Sequence, residues 1–219
     1  GGCLKYYAEV VIKTDEDIEV LKEFLEESKK FYNDEILEKS HDSGKVTIHM
    51  FDEYWDELHK HPKRNISTIY LNKSLHTKTL ENMKSFLSQE SEDKYRRLGI
   101  PYKRNYLFEG YPGTGKTSLI YSLASELGLD ICIFNFTPKT TDSVFMRAVT
   151  RMTEECMLVL EDIDVLFTER KKNADAANLL SFSGLLNTLD GLGHQDKLIT
   201  VMTTNYKCYL DKALKRPGR

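Results

Sequence analysis

At 219 residues, 40% hydrophobic and 30% charged, the chain carries enough apolar side chain for a real core and has room for one large domain or two small ones. Its net charge of -3 excludes a global electrostatic pull toward nucleic acid, and its longest apolar runs fall far short of a membrane span. Four scattered cysteines (Cys3, Cys132, Cys156, Cys208) without a CxxC pair, and the absence of a basic-apolar leader, fit a reduced, intracellular compartment.

Residues 1–64 are expected to form a small α+β module. "KYYAEVVI" has the aromatic and β-branched content of a strand. Thr14, Asp15, Glu16 and Asp17 resemble a capping box, ahead of Ile18, Leu21, Leu25 and Tyr32 at helical spacing. "KVTIHMF" (residues 45–51) alternates like a second strand, after the turn signal Asp42-Ser43-Gly44. His59 and His61 of "HKH" would diverge on a helix and read as solvated surface rather than metal ligands. No chemistry is visible in this module.

From residue 65 to 219 short apolar strands alternate with helices. The strands are "YLFEG", "ICIFNF", "MLVLED" and "LITVMTTN"; helices are expected after Lys116, after Asp142, over residues 177–189 and near Leu210. This alternation predicts an α/β fold with a parallel sheet covered on both faces, whose ligands sit beyond the carboxyl ends of the strands. Residues 168–178, "TERKKNADAAN", read as a surface loop.

The strand "NYLFE" runs directly into Gly110, Tyr111, Pro112, Gly113, Thr114, Gly115, Lys116 and Thr117, with Ser118 following. This fits GxxxxGK[ST], the phosphate-binding loop. Glycines there let successive backbone N–H groups face phosphate oxygens, and the helix beginning near Lys116 adds its positive end. Lys116 supplies an ammonium for the β- and γ-phosphates, and the Thr117 hydroxyl is a ligand for Mg²⁺.

About 45 residues further on, "LVLEDID" ends an apolar run in Glu161, Asp162 and, after Ile163, Asp164. Carboxylates at the end of a buried strand are costly unless something positive meets them. Beside a phosphate loop, one such acid holds the water shell of Mg²⁺ and a neighbour polarises the attacking water. A helix N-cap is the competing reading.

Taken together, "GYPGTGKT", "LVLEDID", "LLNTLDG" and "MTTNYKCYLDKALKRPGR" resemble the core of an AAA ATPase. "ISTIYL", "YRRLGIPYKRNYLFEGYPGTGKTSLI", "FSGLLNTLDG" and "KRPGR" are similar to one branch, the mitochondrial inner-membrane chaperones that translocate the Rieske iron–sulfur protein during cytochrome bc complex assembly. The resemblance spans residues 66–219 and, more weakly, the preceding module, which stands where that family carries a specific middle domain. It implies that residues 110–118 wrap the phosphates of ATP, that Glu161 supports Mg²⁺ through water, and that Asp162 activates the lytic water. The acids then stand in the inverse of the usual Asp-Glu order, a departure the branch shares. Asn205 matches the residue that orients the water or reads the γ-phosphate. Arg219 matches the arginine finger acting on a neighbouring subunit's ATP, and Arg216 either assists it or holds the local turn.

A finger acting in trans implies a homo-oligomeric ring, hexameric or heptameric, working on a protein substrate. "FNFTPKTTDSVF" lacks the aromatic-aliphatic-Gly triplet with which many such rings thread unfolded chains, so threading by that device is not expected. The chain begins Gly-Gly and stops at Arg219, and it reads as a piece of a longer protein, with the helical lid beyond it and any membrane anchor upstream of Gly1. Two rival readings stand beside this one. A nucleic-acid motor would carry a basic stripe, which the acidic balance does not supply. A non-hydrolysing nucleotide-binding module would bind ATP without turning it over.

Overall fold

The computed structural model describes residues 18–31, 44–71, 73–137, 140–153, 155–164, 180–192, 197–210 and 214. Two compact units cover residues 1–43 and 44–219. In the first, α1 (Ile18–Phe31) is a 14-residue amphipathic helix with Glu19 in its first turn, where an acid favours the helix dipole. It is the helix expected from Ile18, Leu21 and Leu25. The strand expected at "KYYAEVVI", the capping box and Tyr32 lie outside the described residues.

The second unit is built on six strands: β1 (Lys45–Asp52), β2 (Tyr54–Pro62), β3 (Lys103–Glu109), β4 (Asp130–Phe134), β5 (Cys156–Leu160) and β6 (Leu198–Thr204). They form one sheet in the order β2-β1-β4-β5-β6-β3. β1 and β2 are antiparallel and every other pairing is parallel; among β3 to β6 this is what the alternating pattern predicts. All five residues of β5 and all seven of β6 are buried, which is why β5 reads as an unbroken apolar run and β6 as an apolar run broken only by threonines.

Helices cover both faces. α2 (Lys73–Leu87), α3 (Gln89–Leu98) and α4 (Lys116–Leu127) precede α5 (Asp142–Thr150) and α6 (Phe182–Asn187). Met83 and Phe86 of α2 and Ile120 and Leu123 of α4 pack with Ile131, Met157, Val159 and Val201 on one side. Phe145 of α5 and Leu185 of α6 pack with Phe134, Leu158 and Leu160 on the other. Ser88 caps α3, accepting the Ser91 N–H at 3.3 Å, and Gly99 ends it in the left-handed region. Where a helix is expected near Leu210, the described residues show a single 3₁₀ turn (Lys207–Tyr209), and the expected loop at 168–178 lies outside them.

The sheet does not stop at residue 65. β1 lies parallel to β4, with Ile48 opposite Ile131 and Met50 opposite Ile133, so the β1–β2 hairpin belongs to the same sheet as the strands after it. Strict alternation in "KVTIHMF" announces a half-buried strand but not the strand that will pair with it.

On β1 the ring of His49 faces Asp130 of β4, Nε2 to Oδ2 at 3.9 Å, while the other carboxylate oxygen accepts the Thr47 N–H at 2.8 Å. The Asp130 carboxylate beside the ring raises the pKa of His49 against the opposing effect of burial. Burial would raise Asp130, but the His49 ring and the Thr47 N–H outweigh it and hold its carboxyl below the usual value. A raised histidine stabilises the fold below its unfolded pKa of about 6.5, and this contribution is lost as pH rises through the folded value. The depressed carboxyl contributes above its unfolded pKa and loses that contribution as pH falls through the folded one. Relative to His49→Gln, the wild type is therefore expected to lose about 0.5–1 kcal/mol between pH 6 and pH 8, read by urea unfolding at the two pH values. A second expectation concerns Gly184 in α6, where a Cβ would overlap the Asp142 carboxylate that accepts from Ser181 N–H and, at 2.6 Å, from Ser181 Oγ. Gly184→Ala should cost about 1–3 kcal/mol in thermal unfolding, and much less when Asp142→Ala clears the space.

Candidate nucleotide site

β3 delivers the glycine-rich loop to the carboxyl edge of the sheet. The Gly110 N–H donates to the Thr204 carbonyl of β6 at 3.2 Å, tying the start of the loop to the neighbouring strand. Gly113 (φ 78°) and Gly115 (φ 89°) occupy the left-handed region that a side chain disfavours, and Gly115 leads straight into α4. Thr114 Oγ1 donates to the Tyr111 carbonyl at 2.8 Å and closes the turn. Lys116 Nζ folds back under the loop to the Gly110 carbonyl at 2.8 Å and the Tyr111 carbonyl at 3.2 Å.

The acids stand opposite. Thr117 Oγ1 donates to Glu161 Oε1 at 2.8 Å, so the loop's hydroxyl and the first acid after β5 meet directly. Asp162 follows in a left-handed conformation (φ 48°), one that aspartate tolerates better than most residues. Its N–H is held by Thr203 Oγ1 at 2.9 Å, and the Ile163 N–H by the Thr203 carbonyl at 3.0 Å.

Asn205 joins the two halves. Its Oδ1 accepts from Lys116 Nζ at 2.7 Å, and its Nδ2 donates to Asp162 Oδ1 at 3.0 Å. The amide can only stand this way round: reversed, it would set an NH₂ against an ammonium and a carbonyl against a carboxylate.

These groups line a cleft of about 410 Å³ that includes Pro112, Gly113, Gly115, Lys116, Thr117 and Ser118 on one wall and Glu161, Asp162, Thr203 and Asn205 on the other. Its chemistry is two-signed. An ammonium and a helix N-terminus suit an anion, while a hydroxyl beside a carboxylate suits a hard, oxygen-seeking cation. That combination fits a Mg²⁺-bound nucleoside polyphosphate. Gly110, Tyr111 and Thr114 build the loop without lining the cleft, and Tyr111 is 73% exposed. Arg216 and Arg219 lie outside the described residues.

Sequence reasoning brought Lys116, Thr117, Glu161, Asp162 and Asn205 to one place, and it missed their supports. Thr203 and Thr204 are buried at 2% and 0% exposure, and Asp164 at 6%. The available signal was the pair of adjacent hydroxyls closing the mostly apolar "LITVMTT", next to a third acid in "EDID".

A glycine-rich loop between strand and helix, facing acids at the end of a neighbouring parallel strand, defines a phosphate-loop nucleotide-binding protein. The sequence pattern of the ATPase family associated with various cellular activities (AAA) matches residues 106–219, and the chain belongs to that family. It is 42% identical over 164 residues to the probable mitochondrial chaperone BCS1-A of Dictyostelium discoideum, covering 71% of this chain and 38% of that protein. It is 36% identical over 206 residues to the probable mitochondrial chaperone bcs1 of Schizosaccharomyces pombe, covering 91% and 44%. The human mitochondrial chaperone BCS1 is 34% identical over 164 residues, covering 72% and 39%. The chain thus spans less than half the length of these curated relatives, and the likeness to a mitochondrial chaperone branch of the family holds over most of the chain. Among the described residues no helix is long and apolar enough to cross a membrane.

The Thr203 hydroxyl gives a direct check on the turn that carries the second acid. Thr203→Val leaves the Asp162 N–H without its acceptor and should cost about 1–3 kcal/mol in denaturant unfolding, whereas Thr203→Ser should stay close to wild type.

Proposed function

We propose that the protein is an ATP-hydrolysing chaperone that acts as an oligomeric ring on a protein substrate. The observation that carries this reading is the Asn205 amide, hydrogen-bonded at once to the loop lysine and to Asp162. Phosphate-binding and water-activating groups are thereby held in one frame, which is what phosphoryl transfer to water requires.

Residues 110–118 hold the phosphates, with Lys116 at the β- and γ-phosphates. Thr117 and Glu161 would hold Mg²⁺, the latter through water, and their mutual contact at 2.8 Å supports the pairing. When bound, the ion would neutralise charge developing on the phosphates. Asp162 polarises the attacking water and takes its proton as the oxygen closes on the γ-phosphorus and the bond to ADP breaks. Its Oδ1 is held by Asn205, which leaves Oδ2 for the water. The inverted acid order follows from the partners each acid has: Glu161 meets the metal-side threonine, and Asp162 the sensing amide.

Arg219 acts on the ATP of a neighbouring subunit, which requires a ring of six or seven copies. The proposed location is the mitochondrial inner membrane; likeness to chaperones named mitochondrial supports the mitochondrial part of that reading.

The test uses the full-length protein. Asp162→Asn should bind ATP within about threefold of wild type while turnover falls by about 100-fold or more, with both proteins sedimenting as the same ring. A wild type that assembles and binds ATP without turning it over would leave a nucleotide-binding module in place of an ATPase.

A further inference from the structure

Asp164 is the third acid of "EDID" and the one the chemistry above leaves without a task. The residue is 6% exposed, a burial at which a carboxylate is costly unless hydrogen bonds meet it. They do: Oδ1 accepts from Thr204 Oγ1 at 2.9 Å and from the Asn205 N–H at 3.2 Å. Thr204 Oγ1 in turn accepts the Tyr206 N–H at 3.2 Å. One carboxylate therefore anchors three consecutive residues at the end of β6, two directly and one through a hydroxyl. The middle residue carries the amide that touches both Lys116 Nζ and Asp162 Oδ1. Asp164 itself does not line the cleft.

We infer that Asp164 is a positioning residue for ATP hydrolysis: its buried carboxylate fixes the backbone at Asn205 and so places the amide that aligns Lys116 with Asp162. This role rests on the ATPase reading. Asn205 has two side-chain torsions, and with its own N–H unpinned the amide can keep one charged partner only by drifting from the other. A displacement of about 1 Å at such a group can cost about 100-fold in rate with little effect on binding. A carboxylate that merely stabilised the fold would lower the unfolding midpoint and leave the turnover of folded molecules intact.

The experiment compares kcat, KM for ATP and affinity for a non-hydrolysable ATP analogue in full-length wild type, Asp164→Ala, Asp164→Asn, Asn205→Ala and the double variant Asp164→Ala/Asn205→Ala. Asp164→Ala should lower kcat by about 10- to 100-fold with analogue affinity within about threefold. Asp164→Asn keeps an acceptor oxygen and should recover most of the rate. The double variant should be no slower than Asn205→Ala by more than about twofold, because both changes act through the same amide. Equal kcat in wild type and Asp164→Ala overturns the role, as do multiplying losses in the double variant. Loss of analogue binding in both Asp164 variants also overturns it and assigns a purely structural role. Absence of turnover in the wild type removes the ATPase reading and this role with it; wild-type turnover matched by Asp164→Ala removes the role of Asp164 alone.

Discussion

The amide of Asn205, held between an ammonium and a carboxylate, is the contact on which the site depends. Each end bonds a charged group, the class of hydrogen bond worth about 1.5–3 kcal/mol. It stands where it does because β6 runs between β5 and β3 in the sheet. From that one strand end the Thr204 carbonyl holds the start of the loop, and Thr203 holds the backbone of the acid turn. The loop and the acids are thus hung on a common rail, and the Thr117–Glu161 contact closes the gap between them. A slip of β6 by one residue would turn its inward side chains to the other face and part the two halves at once.

The two acids differ in their neighbours as well as in side-chain length. Glu161 reaches the Thr117 hydroxyl from the end of a fully buried strand. Asp162, one residue later, is turned by its left-handed backbone toward Asn205. A carboxylate with a shorter side chain on a fixed turn reaches less far but loses less conformational freedom when it is held.

Much of this was readable in the sequence because it follows from local chemistry. The loop announces itself through spaced glycines before a lysine, and β5 and β6 through apolar runs that only a doubly covered sheet sustains. What could not be read depends on which distant residues meet. α2 gave little sign, since of its described side chains only Met83 and Phe86 are fully buried. Thr203 and Thr204 look like ordinary strand residues, threonine being at home there, until the strand end is seen beside Asp162 and Asp164. The sheet's extension through β1 was hidden for a similar reason: His49 and Asp130 are 81 residues apart in the chain and meet only because the strands lie side by side.

That extension bears on how the molecule can be divided. β4 has β5 on one side and β1 on the other, so its second row of backbone donors and acceptors is satisfied by residues before position 53. A polypeptide started at residue 65 would keep the loop, both acids and Asn205, yet bare an apolar strand edge at Ile131 and Ile133, both buried in the intact unit. Such an edge templates pairing with any other exposed strand. The hairpin is a guard on that edge, and its removal would show first as self-association rather than as lost chemistry.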